Sequence, residues 1–260
     1  MSNTHHTPHT FPIGGDMDVN RIGFGAMRLT GQPGNFGPYA DWDAGVELLR
    51  GGHAQGVTFF DSARSYGPKW SDKIVGDALG DTNAVLATKG GVDKPAPDRI
   101  SVDGSPDTLR KQVEEALTNF RRNRIDLFQL HRVDPNTPIE TSVEALAQMQ
   151  SEGLIRHIGL SNVDQQQLDR ALVTAPIASV QNRFNAAERG AEAMVDFTAG
   201  HGIVFIPYGP LGAHPMQSGA KLDPQDALAW LLKRSPNIVV IPGTTNPAHL
   251  TANFSTWSAL

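Results

Sequence analysis

The strongest constraint in this sequence is an alternation in which a short apolar run is followed by a helix-like segment, eight times over. The runs are Arg21–Gly25, Val57–Phe60, Ala84–Thr88, Asp126–Leu130, His157–Leu160, Ser179–Gln181, Val204–Pro207 and Ile238–Ile241. Most are short and rich in Val, Ile, Leu and Phe, as strands buried on both faces of a parallel sheet are. The segments between them carry helical signals. Ser105 suits an N-cap and Pro106 the first helical position, where a missing N–H leaves nothing unpaired. Leu109, Val113, Ala116, Leu117 and Phe120 then share one face, and Ile139, Val143, Leu146 and Met149 repeat the pattern. Asp223 and Pro224 open a helix carrying Leu228, Leu231 and Leu232, and further helices fit Asp41–Gln55, Ser71–Leu79, Asp164–Leu172, Gly190–Ala199 and Pro247–Ser255. Such alternation with short links builds right-handed crossovers and a parallel sheet. Eight units predict a closed (β/α)8 barrel of the TIM type, with an open Rossmann-type sheet as the alternative on pattern alone. A small β-hairpin turning at Gly15 and Asp16 is expected ahead of the first strand.

The length of 260 residues suits one barrel domain spanning residues 1–260, and no linker or composition shift argues for a second. The chain contains no cysteine, which excludes disulfides, thiolate catalysis and cysteine-ligated metal sites. A net charge of −5 without a basic patch argues against nucleic acid as a partner. No apolar run approaches the ~18 residues needed to span a bilayer, and the polar start lacks a signal-peptide core. The expectation is a cytoplasmic protein, a monomer, with no membrane partner. His5, His6 and His9 could bind a metal, but a frayed, solvated tail over residues 1–10 is the better reading. No spaced ligand set is visible elsewhere, so no metal is expected.

In a barrel of this kind chemistry sits where strands end and βα loops begin. The residues there are polar: Asp61 and Tyr66 after the second run, Lys89 after the third, His131 after the fourth, Ser161 and Asn162 after the fifth, Gln181 and Asn182 after the sixth, Tyr208 after the seventh, Thr244 and Thr245 after the eighth. A carbonyl accepting hydride develops negative charge on oxygen and needs a proton donor in a polar, preorganised setting. A tyrosine titrating near ~10 donates poorly at neutral pH, and a nearby lysine cation is expected to lower that value. A carboxylate would keep the lysine charged and a histidine would orient the carbonyl. Tyr66, Lys89, Asp61 and His131 supply those four roles. Taken singly, each has an ordinary structural reading: a loop cap, a packing aromatic, a paired lysine, a satisfied histidine.

The segments GVTFFDSARSYG, ATKGG, LFQLHRVD, LIRHIGLSNV, VQNRFN, IPYGPLG and IPGTTNPAHL together resemble the aldo-keto reductase family, block by block and in order, over roughly Asn20 to Phe254. The wording of MQSEGLIRHIGLSNV and IPGTTNPAHL looks most like a bacterial subgroup that includes pyridoxal reductases. The resemblance implies an enzyme that reduces an aldehyde or ketone with NADPH, with Tyr66, Lys89, Asp61 and His131 as catalytic tetrad. It implies that Ser161, Asn162 and Gln181 hold the carboxamide and that Tyr208 stacks on the nicotinamide. Gly209, Leu211 and Gly212 would cover the pyrophosphate. Gly243, Thr244, Thr245 and Asn246 would hold the adenosine phosphate near a helix N-terminus, with His249 and Asn253 farther along. Met27 joins the cofactor contacts, and Phe36, Trp70 and Arg132 are candidates for the substrate pocket.

Two departures stand out. Gly243 and His249 occupy places where many members of that family carry a lysine and an arginine that clamp the 2′-phosphate, so NADH is the alternative cofactor. The stretch Pro210–Leu222 is short, and the sequence ends at Leu260, soon after the eighth helix, which implies an open substrate pocket. A nicotinamide-binding regulatory protein with little turnover is the competing reading. A phosphosugar isomerase would need a glutamate at a strand end, and none stands there.

Overall fold

The computed structural model describes residues 9–209 and 223–256. A hairpin comes first, β1 (Thr10–Ile13) and β2 (Met17–Asn20), paired antiparallel with Thr10 opposite Asn20. It turns at Gly14–Asp16, as the sequence suggests. The tail is ordered sooner than expected: the His9 carbonyl accepts the Arg21 N–H at 2.9 Å, and Thr10 is already in register, so pairing with β2 and Arg21 holds these two residues. His5 and His6 lie outside the described residues.

The barrel strands are β3 (Phe24–Gly25), β4 (Phe59–Asp61), β5 (Val85–Gly90), β8 (Ile125–Leu130), β9 (Ile155–Ser161), β10 (Ser179–Gln181) and β11 (Val204–Phe205), all parallel and in chain order across the sheet. The eighth predicted run closes the ring without forming a regular strand. Ile238 bridges Phe205 on one side, and Val240 bridges Ile22 on the other. The Val240 N–H donates to Arg21 O at 2.9 Å, while the Gly23 N–H donates to Val240 O at 2.8 Å. The fold is therefore the (β/α)8 barrel, and the open-sheet alternative is set aside.

The helices are α1 (Trp42–Ala54), α2 (Trp70–Leu79), α3 (Pro106–Phe120), α4 (Ile139–Ser151), α5 (Gln165–Thr174), α6 (Glu192–Gly200), α7 (Pro224–Arg234) and α8 (Pro247–Ser255). Their starts are encoded locally. The Asp41 carboxylate caps α1, Asp164 and Gln167 form a capping box on α5, and prolines open α3, α7 and α8. One element was not anticipated. Between β5 and α3 the chain makes a second hairpin, β6 (Val92–Ala96) and β7 (Arg99–Val102). Its sequence, VDKPAPDRISV, is polar and holds two prolines, which count against strands except at exposed edges.

Strand periodicity divides the core in two. Phe60, Leu86, Phe128, Leu130, Ile158, Leu160, Val180, Phe205, Ile238 and Val240 pack outward against the helices. Phe59, Ala87, Leu127, Val204, Ile206 and Val239 pack inward, where Ile13, Met17 and Val19 of the first hairpin join them. Because side chains alternate along a strand, the next inward positions after Phe59, Ala87 and Leu127 are Asp61, Lys89 and Gln129. The apolar interior thus ends in a polar layer at the C-terminal rim.

Candidate active site

Asp61 ends β4 and Lys89 lies near the end of β5. Lys89 Nζ donates to Asp61 Oδ2 at 2.6 Å and to the Ser62 carbonyl at 2.7 Å. The two side chains are 0% and 2% exposed. The other carboxylate oxygen, Asp61 Oδ1, accepts from Gln129 Nε2 at 3.2 Å and Gln181 Nε2 at 3.0 Å. A buried ion pair of this kind persists only where its spare lone pairs are also satisfied, as they are here.

Tyr66 lies in the loop that follows β4. Lys89 Nζ stands 5.2 Å from the centre of its ring, and the His131 imidazole meets the ring edge-on with centroids 6.0 Å apart. His131 follows β8, and its Nδ1 lies 3.4 Å from Ser65 Oγ. The loop is pinned from outside. Arg64 Nε donates to Glu115 of α3 at 2.9 Å, Arg64 Nη1 pairs with Asp93 of β6 at 2.7 Å, and Lys69 Nζ pairs with Glu115 at 3.0 Å.

Electrostatics differ from the sequence expectation at one point. Burial pushes the Tyr66 phenol above its ordinary value; the Lys89 cation opposes this but does not reverse it. Burial works most strongly against the Lys89 cation, but Asp61, with Tyr66 and Asp72 adding to it, outweighs burial and holds the ammonium charged. Burial, with Lys89 and Arg132 adding to it, depresses His131 to about 3, so the imidazole is neutral at neutral pH.

A second group of residues adjoins this one. Asn162, in the left-handed conformation at φ 57°, donates to the His131 carbonyl and to Ser161 Oγ, both at 3.0 Å. Its Oδ1 accepts from the Tyr208 hydroxyl at 2.7 Å. Asn162 therefore ties together His131, Ser161 and Tyr208, three residues the sequence reading named separately. Gln181, expected to face a carboxamide, is instead turned onto Asp61. Gly209 follows Tyr208 with φ 68°, and its carbonyl accepts from Asn185 Nδ2 at 2.9 Å. Leu211 and Gly212, with the rest of the short 210–222 stretch, lie outside the described residues.

At the far end of the rim, Asn246 caps α8, its Oδ1 accepting from the Ala248 N–H at 2.9 Å, and Thr244 Oγ1 accepts from the Asn246 N–H at 3.0 Å. Thr245 and His249 are exposed and Asn253 is partly buried. Gly243 has a packing reason to be glycine: a Cβ there would come within 2.6 Å of the Gly25 carbonyl oxygen, where the closing segment meets β3. Among the pocket candidates, Phe36 is 38% exposed and bridges Gly67, next to Tyr66. Met27 is 46% exposed in the turn after β3, and Arg132 is exposed. Trp70 opens α2 and packs edge-on against Trp42 of α1 at 5.7 Å, with Lys73 Nζ 4.4 Å from its ring centre. Its described partners therefore belong to the α1–α2 contact.

Sequence reading missed Gln129, although it shares the inward parity of Lys89 and precedes His131 by two. It also missed Arg64 and Ser62, whose parts depend on partners far along the chain. Among the described residues no group of three His, Asp or Glu side chains could hold a metal, and no helix is long and apolar enough to cross a membrane.

The sequence signature of the Aldo/keto reductase family matches residues 21–227. The chain is 40% identical to pyridoxine 4-dehydrogenase of Escherichia coli strain K12 over 265 aligned residues, covering 95% of this chain and 92% of that protein. It is 30% identical to the aldo-keto reductase str7 of Strobilurus tenacellus, over 90% of this chain and 83% of that one. Among solved structures it superposes on glycerol dehydrogenase of Gluconobacter oxydans with a TM-score of 0.85 at 24% identity, covering 96% and 90% of the two chains. An aldo/keto reductase of Klebsiella pneumoniae, solved with NADP and acetate, gives 0.77 at 26% identity, covering 95% and 89%. With the barrel, the polar rim and these likenesses together, the chain belongs to the aldo/keto reductase family of oxidoreductases, which act on small carbonyl compounds.

Proposed function

We propose that this protein reduces an aldehyde or ketone to the alcohol with NADPH, Tyr66 giving the proton. The observation that carries the reading is the buried Asp61–Lys89 pair set against the Tyr66 ring, with neutral His131 at the ring's edge. The donor set beside it suits a nicotinamide cofactor: Ser161 and Asn162 gather a hydroxyl and an amide in one hydrogen-bonded patch, the Gln181 carbonyl accepts the Asn162 N–H while its side-chain amide serves Asp61, and Tyr208 offers an aromatic face. When bound, that cofactor supplies hydride to the carbonyl carbon. The chain's own residues manage the oxygen. A phenol whose pKa is raised stays protonated at neutral pH and is available as a donor. The Lys89 ammonium stabilises the phenolate left behind. Asp61 keeps that ammonium charged and fixed, and the neutral imidazole of His131 can donate one hydrogen bond to the same oxygen. In alcohol oxidation the roles reverse.

The likeness to pyridoxine 4-dehydrogenase makes pyridoxal the first substrate to try. Gly243 and His249 leave the 2′-phosphate without a lysine or arginine at those places, so NADH belongs in the same assay. Purified protein with pyridoxal and a panel of small aldehydes, followed by loss of nicotinamide absorbance, tests the reading. Turnover that vanishes in Tyr66→Phe while cofactor binding persists supports it. Tight cofactor binding with no turnover of any carbonyl would favour the regulatory alternative.

A further inference from the structure

Asp72 is a buried carboxylate for which the proposed chemistry has no use. It lies in the first turn of α2 and is 1% exposed, yet its side chain leaves its own helix. Asp72 Oδ1 accepts from Ser62 Oγ at 2.6 Å and from Thr88 Oγ1 at 2.9 Å. Among the described residues, Asp72 Oδ2 has no hydrogen-bond partner. Ser71, beside it, places its hydroxyl 2.8 Å from that of Ser62. Ser62 and Thr88 are wholly buried and are the chain neighbours of Asp61 and Lys89. Moreover, the Ser62 carbonyl is the second acceptor for Lys89 Nζ, at 2.7 Å.

Two geometric consequences follow. The Ser62–Asp72 bond joins the two ends of the loop that carries Tyr66, so that loop is closed on itself. The same carboxylate oxygen also holds Thr88 on the neighbouring strand, from the outer face of the barrel. One group thereby fixes the loop of the phenol and the strand of the ammonium against each other. A buried carboxylate left half-satisfied is costly.

We propose that Asp72 is a positioning residue that sets the placement of Tyr66 relative to Lys89 through Ser62 and Thr88. The inference rests on the functional reading above. The charges that face Asp72 are Lys89 on β5 and Arg64 in the Tyr66 loop, and both favour its ionised form, against the larger opposing effect of burial.

The test compares full-length Asp72→Ala, Asp72→Asn, Ser62→Ala and wild type. Asp72→Ala and Ser62→Ala are expected to lower kcat by roughly tenfold or more, the size of effect that small misplacement of a reacting group produces. The KM for the carbonyl and the cofactor Kd stay within about twofold. The basic limb of the kcat–pH profile moves by about half a pH unit or more, because the phenol no longer sees Lys89 at the same place. Asp72→Asn keeps an acceptor oxygen for both hydroxyls and restores most of kcat. Wild-type kcat and an unmoved basic limb in Ser62→Ala and Asp72→Ala would overturn the proposal, as would Asp72→Asn proving as damaging as Asp72→Ala. If Asp72→Ala does not fold, Ser62→Ala and Asp72→Asn decide the matter. Phenolate absorbance, assigned to Tyr66 by difference against Tyr66→Phe, reads the same shift without turnover. A protein inactive on every carbonyl therefore sinks the functional reading and leaves this inference separately decidable.

Discussion

Lys89 Nζ stands 2.6 Å from Asp61 Oδ2 inside the mouth of the barrel, with neither side chain open to solvent. Removing one partner leaves the other charge buried and alone. Lys89→Met is expected to destabilise the protein by about 3–5 kcal/mol, read as a lower midpoint in urea unfolding. Adding Asp61→Asn to it should recover part of the loss, since the neutral amide no longer needs a cation. A double variant no more stable than Lys89→Met would show that the pair is not the source of the effect.

Tyr66→Phe leaves the ring's contact with His131 in place and deletes only the hydroxyl. The rate of carbonyl reduction should fall by about 10²- to 10⁴-fold, with cofactor affinity, measured by fluorescence titration, nearly unchanged. A loss confined to affinity would move Tyr66 from proton donor to binding surface.

His131 and Asp72 push acid stability in opposite directions. His131 titrates at about 3 in the folded chain against 6.5 ordinarily. The unfolded chain therefore binds the proton first, and stability present above 6.5 drains away as pH falls toward 3. Burial raises Asp72 from 3.8 to about 6, partly offset by bonds from Ser62 and Thr88. Its contribution is full below 3.8 and is lost as pH rises through about 6. Unfolding midpoints followed from about pH 7 down to about pH 4 should fall less steeply in His131→Asn than in wild type, and more steeply in Asp72→Asn. Parallel curves for all three proteins would refute both assignments.

Restoring a lysine at position 243 should not simply create a 2′-phosphate clamp. A Cβ at Gly243 meets the Gly25 carbonyl oxygen at 2.6 Å, where backbone rather than a flexible side chain would have to yield. Gly243→Lys is expected to cost about 1–3 kcal/mol, seen in thermal unfolding. His249→Arg, on the exposed face of α8, should leave stability unchanged and raise the NADPH-over-NADH preference. A stable Gly243→Lys protein would show that the closing segment adapts more freely than its packing implies.

Much of the fold was legible because it is written in local periodicity. The eight helices stand within a few residues of their expected places, since Pro106, Asp164, Pro224 and Asn246 mark their starts with chemistry confined to one turn. The strand-end positions of Asp61, Lys89 and His131 were legible for the same reason, as polar residues that end apolar runs. The hairpin at Val92–Val102 was not, because its sequence is polar and carries Pro95 and Pro97, and its pairing and outside partners, Arg64 among them, meet it only in the folded chain.

Local residue order dictates the alternating plan, and with it which residues reach the rim of the barrel. What those residues do to one another depends on the closed ring. The direction of the Tyr66 shift is the clearest case: proximity to Lys89 suggests a lower pKa, but burial, which depends on how the whole ring closes, is the larger effect. Asp72 is another, since its partners Ser62 and Thr88 lie 10 and 16 positions away. Period and capping act over a few residues and survive in any reading of the chain. Burial and long-range hydrogen bonds exist only once the strands have been brought side by side.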